Sequence, residues 1–423
     1  SVLTERLLGR GQAKEAALST SDFYLNLQLS DVLCILIYMP HQRKRHLLPM
    51  LEKRLKLFPV VGVLGARQTG KSTILRELLA ELRTIRYVTL DRDENRDRAA
   101  RSPTLFIENL ESEGIKTVCI DEVQKAPVLF DTIKAEVDEN KRPGRFAVSG
   151  STEFSKKTGV NDSLTGRISL LRNYPLNISE ITDTKKSKNY LKDISQWLNR
   201  GGMPGIFAIR DESGRESIFE SWIQTTCTRD LAQFEIPRFN PELGRRILIA
   251  IAKLDSPTCI EIAKSIGKTS RQIRLYLEAF KALFTIYEIE PHKSSVGKSQ
   301  FYLFDAGIAK TLGASEKTCL KIFYLNEVYS QFSYSGQRSP DIFFYLSSKG
   351  SAIDFIVEAK TEKWGVILTF DESPAAYGMR AAEAFTKKVK DIPVIFFAPC
   401  LSTHVVSEQI EIRPWSFVVG SYK

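Results

Sequence analysis

Between Phe58 and Leu171 the chain alternates short apolar runs with amphipathic ones. FPVVGVL, RYVTLD, KTVCID, RFAVSG and RISLL read as strands; STILRELLAEL, TLFIENLES and VLFDTIKAEV read as helices. Strands alternating with helices predict an α/β fold, a parallel sheet with helices on both faces. The polar stretch ITDTKKSKNYLKD closes this region as a linker or a solvated helix. After GGMPG the pattern is helical to about Leu283. Beyond Leu325 it is mixed, with strand-like DIFFYL, AIDFIVEA, WGVILTF and PVIFFA around a helix, MRAAEAFTKKVK. The expected organisation is an extension over 1–40, a first domain over 41–180 and a helical linker region over 181–240. A helical domain over 241–310 and a mixed α/β domain over 311–423 follow.

Composition sharpens this picture only in places. A chain of 423 residues with 43% hydrophobic and 26% charged residues has material for several cores and no case for global disorder. The net charge of +10 and pI near 9.1 tilt it toward anionic partners. Six cysteines without a C-x-x-C pair, and four histidines, indicate neither a zinc site nor a disulfide framework. Reduced thiols in a cytoplasmic protein are the simpler expectation. The early apolar run VLCILIYMP, Val32 to Pro40, is shorter than the roughly 20 residues of a membrane span, and the start carries no signal-peptide pattern. The expectation is a soluble protein with no membrane partner. Residues 1–40 look unlike the rest, and an extra helix or an upstream extension fits them as well as a functional element does.

The strand FPVVGVL runs straight into Gly65-Ala66-Arg67-Gln68-Thr69-Gly70-Lys71-Ser72-Thr73, a match to G-x-x-x-x-G-K-[ST]. A strand, a glycine-containing loop and a helix in that order aim backbone N–H groups and the helix dipole at phosphate. Lys71 would reach the β- and γ-phosphates of ATP, and Ser72 would offer its hydroxyl to Mg²⁺. KTVCIDEVQ then places Asp121 and Glu122 at the carboxyl end of a strand, the edge where open α/β sheets bind ligands. Asp121 would hold Mg²⁺ through its water shell and Glu122 would activate the attacking water as general base. The extra strand RYVTLD between the two motifs marks the additional-strand class of P-loop ATPases. The strand of RFAVSGST is expected between the two motif strands, delivering Ser149, Ser151 or Thr152 to the γ-phosphate, with Ser151 the preferred sensor.

GARQTGKST, TLDRDENRDRAARSP, CIDEVQKAP, FAVSGST, SLTGRISLLRNYPLNISEI and GGMPG together resemble the bacterial and archaeal AAA+-like ATPases related to the STAND group, whose C-terminal half is a domain of unknown function. The resemblance runs from about Pro40 to about Pro399. It implies an AAA+-like P-loop fold followed by a winged-helix domain and a restriction-endonuclease-like domain. By the same analogy Arg167, in the G-R that follows the sensor, would touch the γ-phosphate in cis or from a neighbouring subunit; the alternative is pairing with a surface carboxylate. Arg67 and Gln68 are family-like, and their side chains would serve to pin the loop.

SPTCIEIAKSIGKTSRQIRLYLEAFKALFTIYEIE resembles a winged helix-turn-helix. Ile260, Ala263 and Ile266 form one apolar face, Gly267 makes the turn, Ser270 caps the second helix, and Ile273, Tyr276, Leu277 and Phe280 fall at helical spacing. Arg271, Gln272 and Arg274 would face a major groove, with HKSSVGKS as the wing; alternatively the module packs against the ATPase and transmits its state. In the C-terminal domain Glu327 and Asp354 match two metal acids of the nuclease-like fold. Leu368-Thr369-Phe370 stands where E-x-K belongs, and Glu358-Ala359-Lys360 is a displaced candidate. The reading is a Mg²⁺-dependent ATPase acting as a nucleotide-controlled switch or motor, with ATP and ADP, DNA, a protein partner or a second copy as partners. The runner-up is a DNA-binding regulatory or defence protein in which ATP is a structural or signalling ligand with negligible turnover.

Overall fold

The computed structural model describes residues 45–154, 166–181 and 190–420. The extension over 1–40 and the Ser163-Leu164-Thr165 part of the S-L-T-G-R element lie outside them. A first helix, α1 (Leu47–Leu55), packs Leu47, Met50, Leu51 and Leu55 inward. It leads into a five-stranded parallel sheet of β1 (Val60–Leu64), β2 (Ile85–Thr89), β3 (Thr117–Asp121), β4 (Phe146–Gly150) and β5 (Ile168–Arg172), in the order β2-β3-β4-β1-β5. The central strands β1, β3 and β4 are buried at every position, so their sequences are mainly apolar, with polar Asp121 and Ser149 only toward the carboxyl ends of β3 and β4 and Thr117 at the start of β3. The edge strand β5 alternates between buried and accessible positions. As expected, β4 pairs with both motif strands, β3 and β1. Helix α2 (Val128–Glu139) covers one face through Leu129, Phe130, Ile133 and Val137.

The helix after the glycine loop departs from expectation. Only Lys71–Thr73 is α-helical, and Ile74–Leu78 continues as a π-helical turn. Asp93–Arg101, inside a stretch quoted only as a motif, is a helix of its own.

From Pro241 three helices follow: α3 (Pro241–Lys253), α4 (Cys259–Ile266) and α5 (Ser270–Ala282). Gly267 ends α4 with a left-handed turn. The cap of α5 is Thr269, one residue before the expected Ser270, accepting from Gln272 N at 3.3 Å. Ile273, Tyr276, Leu277 and Phe280 are buried. Ile260 is 53% exposed, and the inward face of α4 is instead Ile262, Ala263 and Ile266. An antiparallel hairpin, β6 (Ile286–Pro291) and β7 (Gln300–Leu303), follows, with Thr258 bridged to Gln300.

This hairpin belongs to a larger sheet. With β8 (Asp341–Leu346), β9 (Ala352–Glu358), β10 (Lys363–Leu368), β11 (Val394–Ala398), β12 (His404–Ser407) and β13 (Ile410–Pro414) it forms eight strands in the order β12-β13-β11-β10-β9-β8-β6-β7. The join is β6 to β8, parallel at Glu290↔Phe343 and Pro291↔Phe344. The segment expected as a free wing is fastened to β8: His292 N donates to Phe344 O at 2.9 Å and Val296 N to Leu346 O at 2.8 Å. A long helix, α6 (Glu316–Ser335), runs between the two sheets with contacts to β5, β7 and β10. Helix α7 (Ala376–Lys388) covers the second sheet. No described helix is long and apolar enough to cross a membrane.

Candidate nucleotide site

The loop Gly65–Gly70 leaves β1 at the carboxyl edge of the first sheet. A Cβ at Gly65 would collide with the carbonyl of Asn173, so the close approach of loop and Asn173 needs glycine. Thr69 Oγ donates to Ala66 O at 2.8 Å, cross-tying the loop. The Lys71 ammonium is buried and donates to Gly65 O at 2.9 Å and Ala66 O at 2.8 Å. Burial lowers its pKa, against the opposing pull of Glu122 and Asp121. A buried cation bonded only to loop carbonyls is suited to a phosphate anion, which would replace those weak acceptors with charged ones.

The second motif stands beside it. Asp121, at the end of β3, is buried and accepts from the Ser149 hydroxyl and from Tyr87 Oη at 2.7 Å. Ser72, in the short helical turn Lys71–Thr73, and Asp121 are the two oxygen ligands assigned to Mg²⁺, and their hard oxygen donors fit that ion. Glu122 takes a left-handed backbone at φ 57°. Its Oε2 accepts from Ser151 Oγ at 2.8 Å and from the Gln124 amide. Ser149 and Ser151 therefore divide the two acids between them, and Thr152 is buried.

The loop is held from below by residues that the motifs do not name. Arg45, just ahead of α1, donates to Thr69 O at 2.7 Å, and Asn173 Nδ2 donates to the same carbonyl at 2.8 Å. Arg45 also pairs with Glu180 at 3.1 Å and bonds Asn173 Oδ1 and Tyr174 O, each at 2.9 Å. Its contact with Tyr334 Oη at 3.4 Å brings α6 into the network. Arg67, inside the loop, pairs with buried Asp230 at 2.9 Å, and Gln68 is exposed at φ 62°. The GGMPG turn lies alongside: Gly202 N donates to Asp305 Oδ2 at 2.6 Å, and a Cβ at Gly201 would collide with that carboxylate. Asn173 and Gln124 fall inside quoted motifs, and Tyr87 lies on the inserted strand. Arg45 has no local signal.

Arg167 takes the alternative expected for it, pairing with a surface carboxylate. It precedes β5, whose register with β1 sets Ile168 opposite Val60 and Arg172 opposite Leu64. At about 3.3 Å per residue it stands roughly 20 Å along the strand from Gly65, at the opposite edge of the sheet. There it forms a bidentate pair with Asp138, at 2.6 and 3.0 Å. A cis contact with the γ-phosphate is excluded by that distance.

Residues 57–182 match the family model described as "AAA domain". This part of the chain is similar to AAA-type domains. Residues 170–318 match a "Domain of unknown function (DUF8612)", which spans the helical middle and the hairpin rather than the C-terminal half. The uncharacterized proteins Rv2008c of Mycobacterium tuberculosis and Mb2031c of Mycobacterium bovis are each 25% identical over 364 residues, 82% of this chain and 78% of theirs. Among solved structures, the Walker-type ATPase PABY2304 of Pyrococcus abyssi is similar over 63% of this chain and 94% of its own, at 16% identity and a TM-score of 0.41.

The acids assigned to a nuclease centre are separated. Asp354 on β9 is paired with Lys321 at 3.1 Å and accepts from Leu368 N at 2.9 Å. Glu327 lies six residues further along α6 than Lys321, about 9 Å along the axis. It faces the region after the first sheet, accepting from Ile178 N at 2.7 Å and Gln331 Nε2 at 3.0 Å. Burial pushes its carboxyl up to about 8. Glu358 is taken up by Lys363 at 3.0 Å, with His292 at 3.4 Å.

Proposed function

We propose that the protein is a Mg²⁺-dependent ATPase that converts ATP to ADP and phosphate and uses the nucleotide state to control the modules after its AAA domain. The observation that carries this is the neighbourhood of β1, β4 and β3, which sets the Lys71 loop, Ser149 and Ser151, and the Asp121–Glu122 pair along one sheet edge. Lys71 leaves its loop carbonyls to bind the β- and γ-phosphates. Ser72 and Asp121 hold Mg²⁺, which neutralises charge on those phosphates. Glu122 takes a proton from the attacking water, and Ser151 turns from Glu122 to the γ-phosphate.

The route outward is short. Glu153, two residues beyond Ser151, donates its backbone N–H to Ala282 O at 2.8 Å, at the end of α5. This supports the reading of a winged-helix module that transmits nucleotide state by packing. The order helix, bridge, two helices and hairpin supports the winged-helix assignment itself. The second reading, DNA binding with negligible turnover, rests on Arg271 and Arg274, which are exposed on α5. It is weakened by the fastening of the hairpin loop to β8. The nuclease-like fold of 311–423 is retained as a binding surface that does not cleave, since Lys321 neutralises Asp354.

The deciding experiment compares Lys71→Ala with Glu122→Gln. The first should lose ATP binding, and the second should bind ATP and lose turnover. Equal loss of binding in both would overturn the roles, and wild-type protein that binds ATP without turning it over would favour the second reading.

A further inference from the structure

Gln124 follows Glu122 in a short 3₁₀ turn, Val123–Lys125, and is buried. Its Nε2 donates to Glu122 Oε2 and, at 3.2 Å, to Ser151 Oγ, while Ser151 Oγ donates to that same Glu122 oxygen. An ionised carboxylate only accepts, so the amide must present its nitrogen to Glu122, and chemistry alone fixes its orientation. The cost falls on the other end: Gln124 Oε1 is buried without a partner among the described residues. It lies 3.0 Å from where a Cβ at Gly150 would stand, with Phe154 at 2.5 Å from the same point, so the end of β4 that faces both is glycine. A buried carbonyl left unpaired calls for an explanation beyond packing.

We propose that Gln124 is a positioning residue for hydrolysis, which deepens the ATPase reading and rests on it. The left-handed backbone at Glu122 aims its side chain back over the strand end, and Gln124 holds it there by one oxygen. Oε2 is occupied, which reserves Oε1 for the water. In the reacting complex Ser151 swings to the γ-phosphate and Gln124 alone keeps the carboxylate in place. The water's proton passes to Glu122 Oε1 as its oxygen bonds the γ-phosphorus. The bond from that phosphorus to the bridging oxygen breaks, and the electron pair stays with ADP. An amide can hold the carboxylate through this step without giving or taking a proton.

The test is steady-state ATPase kinetics and ATP binding for wild type, Gln124→Ala and Gln124→Met, with Glu122→Gln as reference. Methionine keeps the side chain's bulk and removes its donor. Both Gln124 variants should lower kcat by roughly 10- to 100-fold, the scale of a misplaced reacting group, with KM and ATP affinity within about threefold of wild type. Added to Glu122→Gln, Gln124→Met should cost nothing more, because the carboxylate it positions is gone. A wild-type kcat in Gln124→Met, or an equal loss of ATP affinity, overturns the proposal and leaves the ATPase reading standing. Wild-type protein without turnover overturns both.

Discussion

Arg45 offers the most demanding test of how the phosphate loop is supported. It is a buried cation whose side chain is 4% exposed, paired with a Glu180 side chain that is fully buried. Among the described residues, Arg45→Met leaves that carboxylate with the N–H groups of His46, at 2.7 Å, and Asn177, at 3.2 Å. Removing one partner of a buried pair costs about 3–5 kcal/mol, because the other charge stays desolvated. Thr69 O also loses its donor at 2.7 Å and keeps only Asn173. The loop should loosen, and ATP affinity should fall about tenfold, or ~1.4 kcal/mol. Urea denaturation of wild type, Arg45→Met, Glu180→Gln and the double variant measures the first effect. The double variant should recover about 1–3 kcal/mol relative to the sum of the singles, since neither charge is then stranded. A single-variant loss under about 1 kcal/mol, or strict additivity, would refute the assignment of this pair as the floor of the loop.

Glu327 makes stability depend on pH in a stated direction. Its carboxyl titrates at about 8 when folded against an ordinary value of 4.5, so the folded state holds the extra proton between them. Its contribution is complete below pH 4.5 and is lost as pH rises through 8, at up to about 1.4 kcal/mol per pH unit. Glu327→Gln should flatten that slope in urea melts, and an unchanged slope would refute the assignment. Arg167→Ala should leave ATP turnover within about threefold. A tenfold loss, restored by mixing with Glu122→Gln protein, would show Arg167 acting in a neighbour's site. If α5 contacts DNA, Arg271→Ala with Arg274→Ala should reduce the slope of log affinity against log salt by about 1.8, roughly 0.9 per lost phosphate contact. An unchanged affinity would assign the helix to packing.

The first sheet was legible because its physics is local. Strands buried on both faces must be mainly apolar, as VVGVL and the VCI of TVCID are, and the phosphate loop needs its residues in one contiguous run. Arg45 was not legible: one arginine in the basic run HQRKR looks like a solvated charge, and its partners lie up to 289 residues away. For Arg167 the sequence left cis contact, contact from a neighbour and a surface pair open, because a G-R before a strand and one after it look alike, while the strand's direction decides which sheet edge the side chain occupies. Ile260 follows the period of α4 yet falls just outside its buried face. The strands β12 and β13 passed unread, since at His404–Ser407 every position of β12 is exposed and no alternation shows.

The β6–β8 pairing also bears on how the protein can be taken apart. A chain cut near residue 310, where composition suggests a boundary, would separate β6 and β7 from the strands that complete their sheet. Each fragment would carry a raw edge of unpaired N–H and C=O groups, with Phe343, Phe344 and Tyr345 along the one on β8. Such edges recruit other strands, so fragments made there would be sticky in the way of aggregating proteins. A usable dissection must keep β6 through β13 on one piece.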